Sequence, residues 1–259
     1  MMREYEKLSD CLSLRKEYMR QSTTISMIKA TARDRLIGRY GTTIGAAILL
    51  LLIQVLVSDA VIIMVSPDNI ITYIVYLFTV LLVDVLFGVF YSGVAYLYMN
   101  VVYAQPARTS DIFHGFKMHP DKALMIQVPF ALASFVQTVP ISIMRNFLRG
   151  QEGSSIYMAM IGLTLVGTIL SIIVKLIYAQ SFYLLQDFPD KSAGEILGIS
   201  ARIMKGNKWR LVKMYLSFIP IIILGALTLF LPLLWVDSYI EASRAAFYQD
   251  CIVSANRNS

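Results

Sequence analysis

Of the ionisable residues within or beside the long apolar stretches of this chain, four are candidates for a site: Asp84, Lys175, Asp237 and Glu241. A charged side chain inside a bilayer costs about 2.5 to 3.5 kcal/mol on insertion scales, so those that persist there generally have a partner or a function. Carboxylates and an ammonium group in such a place could receive a cation or a proton, or line a site for a lipophilic molecule. We predict these four residues as the candidate intramembrane polar site.

Asp84 and Lys175 are the deepest of the four. Counted from the outer ends of their apolar stretches, Asp84 lies about 15 residues in and Lys175 about 20, an offset of roughly 8 Å along the helices. A lysine stem could partly cover that offset, so a buried ion pair is geometrically allowed. The alternative is that Lys175 extends its ammonium group to the cytoplasmic face, while Asp84 is protonated or faces an inward polar pocket.

Asp237 and Glu241 are four residues apart and therefore share one face of a helix, where paired carboxylates could receive a cation or a proton. Arg244 follows Glu241 by three residues, and this spacing favours an intrahelical salt bridge near the membrane interface. The salt bridge is the simpler interpretation of this segment.

Motifs for catalysis, cofactor binding and metal binding are absent from the sequence. No phosphate-binding loop of the Walker type occurs, and His114 and His119 lack the glutamate and the spacing of a zinc-protease helix. Cys11 and Cys251 lie in the two terminal segments, too few for a zinc quartet, and we expect two reduced thiols. We predict a non-enzymatic protein that needs no cofactor and no metal.

The elements that must position the four residues are transmembrane helices. Of the 259 residues, 57% are hydrophobic and 15% are charged, against about 45–50% and 25% for a soluble domain. A bilayer core of about 30 Å takes about 20 apolar helical residues. By this measure the spans are Gly41 to Val65, Ile70 to Tyr103, Ala123 to Met144 with two bending prolines (Pro129 and Pro140), and Ile156 to Leu185, followed by an ambiguous apolar region, Leu211 to Trp235.

The ambiguous region could be one bent span or the greater part of a hairpin. We favour a hairpin that turns near Gly225 to Thr228, which gives six spans in an all-α fold. In that topology 20 of the 23 Lys and Arg residues lie on one side, and only Arg145 and Arg149 lie on the other. Because positive residues accumulate on the cytoplasmic side, both termini are predicted to be cytoplasmic. A five-span topology would export the C-terminal tail.

This topology predicts three parts: a cytoplasmic N-terminal segment (residues 1–24), a single membrane domain (25–251) and a cytoplasmic tail (252–259). Three basic segments, residues 25–41, 108–122 and 192–213, each carry an apolar pair, a glycine, a cation and an aromatic residue before an apolar stretch. The pattern predicts a short amphipathic interfacial helix that ends at a flexible corner. Three repeats of one surface helix and two spans are the simplest architecture.

The third basic segment has its own helix signals. Ser192 and Glu195 have the spacing of a capping box, and Ile196, Ile199 and Ile203 share one face. Such surface helices either rest on anionic membrane lipids or dock a membrane-protein partner. The basic residues are confined to linkers and ends, a distribution typical of membrane orientation, so we expect no binding of nucleic acid.

The C-terminal third of the chain resembles the bacterial integral-membrane family catalogued as domain of unknown function nine-seven-five. The residues that carry the resemblance are Asp187, Phe188, Pro189, Ser200, Met204, Lys205, Gly206, Asn207, Lys208, Trp209, Ser217, Phe218, Leu234, Trp235, Tyr239, Ala246, Phe247 and Tyr248. A weaker similarity extends over Ala32 to Gly45 and Ala107 to Leu124. The resemblance implies a six-helix protein of the bacterial plasma membrane with a cytoplasmic C-terminus, and it implies no activity.

These observations leave three functional hypotheses open. The first is a non-enzymatic component that binds or moves a lipophilic molecule, such as a lipid or a membrane-active peptide, in a cavity between bent helices. The second is an accessory or immunity protein that acts through its basic cytoplasmic helices. The third, an ion or proton carrier that uses the four polar residues, ranks lower because the salt bridge and the extended lysine explain most of them.

Overall fold

The computed structural model describes residues 24–65, 69–148, 153–228 and 232–257, with side chains described up to residue 254. Within these ranges the chain forms helices and no β-strand. In chain order the helices are α1 (Ile25–Leu36), α2 (Tyr40–Met64), α3 (Ile70–Val102), α4 (His114–Lys117, preceded by the 3₁₀-helix Thr109–Phe113), α5 (Pro120–Phe147), α6 (Ser155–Ile177), α7 (Ser181–Asp187), α8 (Ala193–Met204), α9 (Lys208–Leu216), α10 (Ile219–Leu227) and α11 (Leu233–Arg257). The predicted N-terminal segment lies almost wholly outside the described residues.

Local capping interactions fix where several helices begin. The Asn69 side chain accepts hydrogen bonds from the backbone amides of Ile71 and Thr72 at the start of α3. At the start of α8, Glu195 N donates to Ser192 Oγ (3.3 Å) and Ser192 N donates to Glu195 Oε2 (2.8 Å), which confirms the predicted capping box. Each cap satisfies amides that have no partner inside the helix.

Five stretches of the described chain are long and apolar enough to cross a membrane, and this supports a multi-pass membrane protein. They are Tyr40–Met64, Ile70–Val102, Pro120–Phe147, Ser155–Asp187 and Lys208–Leu227. The first four agree with the predicted spans, and α5 continues through Pro129 and Pro140. The predicted count of six spans is not confirmed, because α11 carries Asp237, Glu241, Arg244 and Asp250 among its apolar residues.

Burial divides α3 into two unequal halves. Among residues 70–86 only Tyr73 is buried, whereas twelve of the residues from 87 to 102 are buried. The buried half belongs to a hydrophobic core that also contains residues from α1, α5, α7, α8, α9 and α11. Its largest fully buried side chains are Tyr248, Phe218, Phe247, Leu36, Leu97, Ile112, Ile126, Leu184, Ile196, Met204, Leu211 and Met214.

In the first and third basic segments a short helix ends before a glycine, as predicted. α1 buries Ile28, Ala32 and Leu36 on one face and is followed by Gly38, whose φ of 77° lies in the left-handed region. α8 is likewise followed by Gly206 with φ 98°, a conformation that glycine adopts without the penalty of a Cβ atom. In the second linker, by contrast, Gly115 lies inside α4, and its missing side chain lets the backbone approach Val89. The threefold repeat is therefore not confirmed.

The face that α8 buries differs from the predicted one. Of the three isoleucines predicted to share one face, Ile196 is buried and Ile199 and Ile203 are half-buried, while the other buried residues are Ala193, Ser200 and Met204. Ile196, Ser200 and Met204 recur every four residues, which defines one helical stripe. The stripe faces the hydrophobic core.

α10 and α11 form an antiparallel helical hairpin. The Phe218 and Tyr239 rings meet edge to face at 5.0 Å, and Gly225 lies against the Leu233 side chain. The antiparallel arrangement agrees with the hairpin predicted for this region, but its two spans are not confirmed, and the connecting residues 229–231 lie outside the described ranges. α10 continues the apolar stretch Lys208–Leu227 after a break at Ser217 and Phe218, and its own nine residues span about 14 Å at 1.5 Å per residue.

Candidate functional site

All four predicted polar residues line one central cavity of about 940 Å³. The walls come from α2, α3, α5, α6, α7, α9 and α11, together with residues from the connections between them. Besides Asp84, Lys175, Asp237 and Glu241, the cavity is lined by Arg244, Gln127 and Ser134, and otherwise mainly by aliphatic and aromatic side chains. The four predicted residues, which are up to 157 positions apart in sequence, are thus brought to one space by the helix packing.

One face of α3 runs along the length of the cavity. Its lining residues include Asp84, Tyr91, Ala95 and Tyr98, separated by seven, four and three positions. These separations correspond to near-complete helical turns, so the four side chains form one stripe. From Asp84 to Tyr98 the stripe measures about 21 Å at 1.5 Å per residue.

Asp84 is held by neutral hydrogen-bond donors on α5. Gln127 Nε2 donates to Asp84 Oδ1 (3.1 Å) and Ser134 Oγ donates to Asp84 Oδ2 (2.6 Å). Gln127 and Ser134 are seven residues apart and therefore lie on the same face of α5. Of the two interpretations offered for Asp84, the inward polar pocket describes this environment.

Lys175 lines the same cavity but forms no ion pair with Asp84. Within the described ranges, no carboxylate oxygen lies within 4.0 Å of the Lys175 ammonium group. Its side chain is exposed to the cavity near the C-terminal end of α6. The direct pair between these two residues is therefore not present in this structure, because Asp84 is turned toward α5.

Glu241 and Arg244 form the predicted intrahelical salt bridge. Arg244 Nη1 donates to Glu241 Oε1 (2.7 Å) and Oε2 (2.9 Å). Asp237, one helical turn earlier, is accessible from the cavity and has no cation within 4.0 Å among the described residues. The cavity wall on α11 thus contains the Glu241–Arg244 salt bridge, whose charges cancel, and the further carboxylate of Asp237.

Three tyrosines surround this group of charges. Tyr98, Tyr183 and Tyr215 line the cavity, and each lies close enough to Glu241 to interact with it electrostatically. They come from α3, α7 and α9. Because three separate helices contribute them, no local pattern in the sequence predicts their convergence.

A second cavity of about 560 Å³ lies among the ends of α3, α4 and α7. His114 stacks on Tyr96 with ring centroids 3.6 Å apart, and burial lowers the pKa of His114. Burial, together with the nearby charge of Asp187, raises the pKa of Tyr103 to about 12. Asp187 accepts a hydrogen bond from Tyr248 OH (2.6 Å).

The profile of a family described as "Protein of unknown function (DUF975)" matches residues 19–255. The chain belongs to this family. No curated protein and no solved structure matches the chain. The family assignment covers most of the chain and confirms the resemblance found in the sequence.

In this DUF975 protein, two of the stretches that carry the resemblance meet in space. The bond between Asp187 and Tyr248 joins the end of α7 to α11, and Tyr248 also stacks on Tyr183 at 5.3 Å. Tyr239, in the same C-terminal stretch, packs against Phe218. These residues therefore hold the ends of several helices together within the core.

Sequence reasoning missed Gln127, Ser134 and the three tyrosines. For Gln127 and Ser134 a signal was available, since two polar residues seven positions apart in an apolar span mark one polar helix face.

Cys251 is a buried free thiol whose pKa is raised to about 12 by burial, so it is neutral at pH 7. Cys11 lies outside the described residues.

Proposed function

We propose that this protein is a non-enzymatic membrane component that binds or moves a lipophilic molecule in its central cavity. The observation that carries the proposal is the cavity of about 940 Å³ with mainly apolar walls and a few polar groups. Ligand sites generally occupy about 300–1,000 Å³ and combine such walls with a small number of polar groups that orient the ligand. A lipid or a membrane-active peptide has the matching amphiphilic character.

The position of the cavity supports a ligand taken from the bilayer. Asp84 lies 14 residues after Ile70, which is about 21 Å along α3, and Tyr98 lies about 42 Å along it. A bilayer core is about 30 Å thick. The cavity therefore extends from a depth inside the apolar core to the level of the cytoplasmic interface, where lipid headgroups lie.

We further propose the bacterial plasma membrane as the location, with both termini in the cytoplasm. The supporting observation is the concentration of Lys and Arg in the termini and the linkers that precede α2, α5 and α10. This orientation also fits the hairpin. Ser238 of α11 neighbours Tyr98, which lies about 42 Å along α3 from its outer end. α11 starts only five residues before Ser238 and therefore starts near the same depth.

A consequence is that α10 and α11 enter the membrane only from the cytoplasmic side. Ser238 lies at the level of Tyr98, and the five residues from Ser238 back to Leu233 extend only about 8 Å toward the outer surface. Such a hairpin enters the membrane to a shallow depth and leaves on the same side, instead of forming a fifth and a sixth span. The tail then stays cytoplasmic. Cysteine introduced at Thr228 should resist a membrane-impermeant thiol reagent added from outside, whereas two full spans would expose it.

The test of ligand binding uses the protein in lipid nanodiscs after mild extraction. Lipids that copurify are identified by mass spectrometry for the wild type and for Leu50→Trp, which places an indole in the cavity. The matched control is Leu56→Trp, on the same helix but 68% exposed on the outer surface. We expect Leu50→Trp to reduce the retained ligand severalfold and Leu56→Trp to leave it unchanged. Equal retention in all three proteins would contradict the proposal.

The alternative is an accessory or immunity protein that acts through its basic helices. It is favoured by Trp209, which is 75% exposed at the start of α9 beside the cations Lys205 and Lys208. Aromatic and basic residues together also suit the lipid interface, so this feature alone does not require a protein partner. Affinity purification from native membranes that always recovers the chain alone would argue against the alternative.

A further inference from the structure

We infer that the central cavity selects amphiphiles whose polar end carries a positive charge, and that Asp237 binds the positively charged group. This inference rests on the proposed function, because it names the chemical class of the molecule that the cavity would hold. It concerns the end of the cavity formed by α11 and the three tyrosines.

The charges that line the cavity do not balance. Its walls carry three carboxylates, Asp84, Asp237 and Glu241, and two cations, Lys175 and Arg244. Glu241 and Arg244 neutralise each other through two short hydrogen bonds. Asp237 lies one turn away on the same helix face, and no cation of the described residues lies within 4.0 Å of it.

Lys175 lines the same cavity from the last turn of α6. No carboxylate oxygen of the described residues, those of Asp237 included, lies within 4.0 Å of its ammonium group. An unpaired carboxylate at one end of a mainly apolar space favours a ligand that brings its own cation, since a ligand without one would shield the carboxylate from water at a cost in free energy.

The aromatic side chains supply a second reason that does not depend on the carboxylates. Tyr98, Tyr183 and Tyr215 line the cavity, and each lies close enough to Glu241 on α11 to interact with it electrostatically. Aromatic rings attract ammonium groups through their quadrupole, and this is how proteins recognise substituted ammonium ligands. Carboxylate and rings together are therefore selective for an ammonium group over a phosphate or a carboxylate.

The rest of the cavity suits an apolar chain. Between Tyr98 and Asp84 the α3 stripe runs for about 21 Å, and it faces aliphatic and aromatic residues of α2, α6 and α9. A long alkyl chain lying in this space would be shielded from water along its length. The ligand would then lie with its ammonium group at the cytoplasmic level and its chain toward the membrane interior.

The experiment uses three photoreactive probes of equal chain length: a primary alkyl amine, a fatty acid and an alkyl alcohol, each with a diazirine in the chain. The full-length protein in nanodiscs is irradiated with each probe, and the labelled peptides are mapped by mass spectrometry. We expect the amine to label cavity peptides about tenfold more than the acid, as a charge-assisted hydrogen bond implies.

Variants of Asp237 test whether this residue causes the preference for the amine over the acid. Asp237→Asn should lower amine labelling about tenfold and leave alcohol labelling unchanged, which also shows that the cavity is intact. Asp237→Glu should retain the preference, because it keeps the charge. Asp59→Asn, on the exposed outer part of α2, is the matched control and should behave as the wild type.

The outcomes separate this inference from the proposed function. Equal labelling by the three probes, or amine labelling that Asp237→Asn does not change, would overturn the selectivity and leave binding in the cavity standing. Stronger labelling by the acid would assign the site to Lys175 or Arg244 and an anionic ligand. If no probe labels the cavity, the proposed function and the inference both fail.

Discussion

In the proposed orientation this protein has an outer half and a cytoplasmic half, and the two obey different packing rules. In the outer half the helices expose their apolar side chains, as Leu56, Ile63 and Phe78 do, because lipid is as good a solvent for them as protein. In the cytoplasmic half the same helices are buried against shorter helices in a dense core. The central cavity begins in the first region and ends in the second.

This difference between the two halves shows where specific packing is required. The described part of the outer half is held mainly by pairs of neighbouring helices, such as α5 and α6, where Gly167 lies against the backbone of Gln137. The cytoplasmic half is fixed by many long-range contacts, including Arg39, whose Nη1 donates to the carbonyl oxygens of Asn100 and Gln105 at the end of α3. Substitutions of the same type should therefore have different effects in the two halves.

The largest expected difference concerns glycine. In Gly93→Ala the new Cβ would collide with the backbone of Ile112, and we expect a loss of more than about 3 kcal/mol of stability or no folded protein. Gly162→Ala, in α6, meets no atom within 4 Å and should be neutral or stabilising by up to about 1 kcal/mol. Thermal unfolding in detergent measures both, and equal effects would remove the distinction between the two halves.

The next largest difference concerns leucine side chains on one helix. Leu97 is completely buried and Leu82 is 48% exposed, although both lie on α3. Leu97→Ala should cost about 2–5 kcal/mol through lost burial and a cavity, whereas Leu82→Ala should cost less than about 1 kcal/mol. The melting temperatures of the two variants test this, and a Leu82→Ala loss as large as that of Leu97→Ala would show that the outer half is also tightly packed.

The smallest expected effect is a pH dependence of the cytoplasmic half. Burial lowers the pKa of His114 below its usual 6.5, with Asp111 opposing and Lys117 adding to the shift. The folded protein therefore favours neutral His114, and its stability should fall as the pH drops below about 6.5, since the unfolded chain then binds more protons. Unfolding temperatures at pH 5.5 and 7.5 measure this, and His114→Gln should show a weaker dependence. A steeper dependence in the variant would rule out His114 as its source.

Much of the helical architecture could be predicted from the sequence. Hydropathy places the first four spans, because a bilayer requires long apolar helices. The capping box at Ser192 and the salt bridge of Glu241 with Arg244 follow from spacings of three residues. In each case the partners belong to one helix, so their distance is set by helix geometry alone.

Several predictions that were wrong or incomplete depend on how helices rotate against one another. Asp84 lies next to Gln127 and Ser134 instead of Lys175, because α3 turns that side chain toward α5. The second linker forms a 3₁₀-helix that packs closely on α3 at Gly93, and no sequence pattern predicted this approach. Hydropathy assigns a residue to an apolar helix but does not set the direction in which it points.

The sequence by itself determined the class of the protein, the positions of its long helices and the contacts within single helices, since these depend on composition and on a fixed helical repeat. Only the tertiary structure decided that the four polar residues share one cavity, that three tyrosines surround its α11 end, and that the α10 arm of the hairpin is only nine residues long. These features depend on the relative rotation and depth of helices far apart in the chain, which are set by packing of side chains in the core.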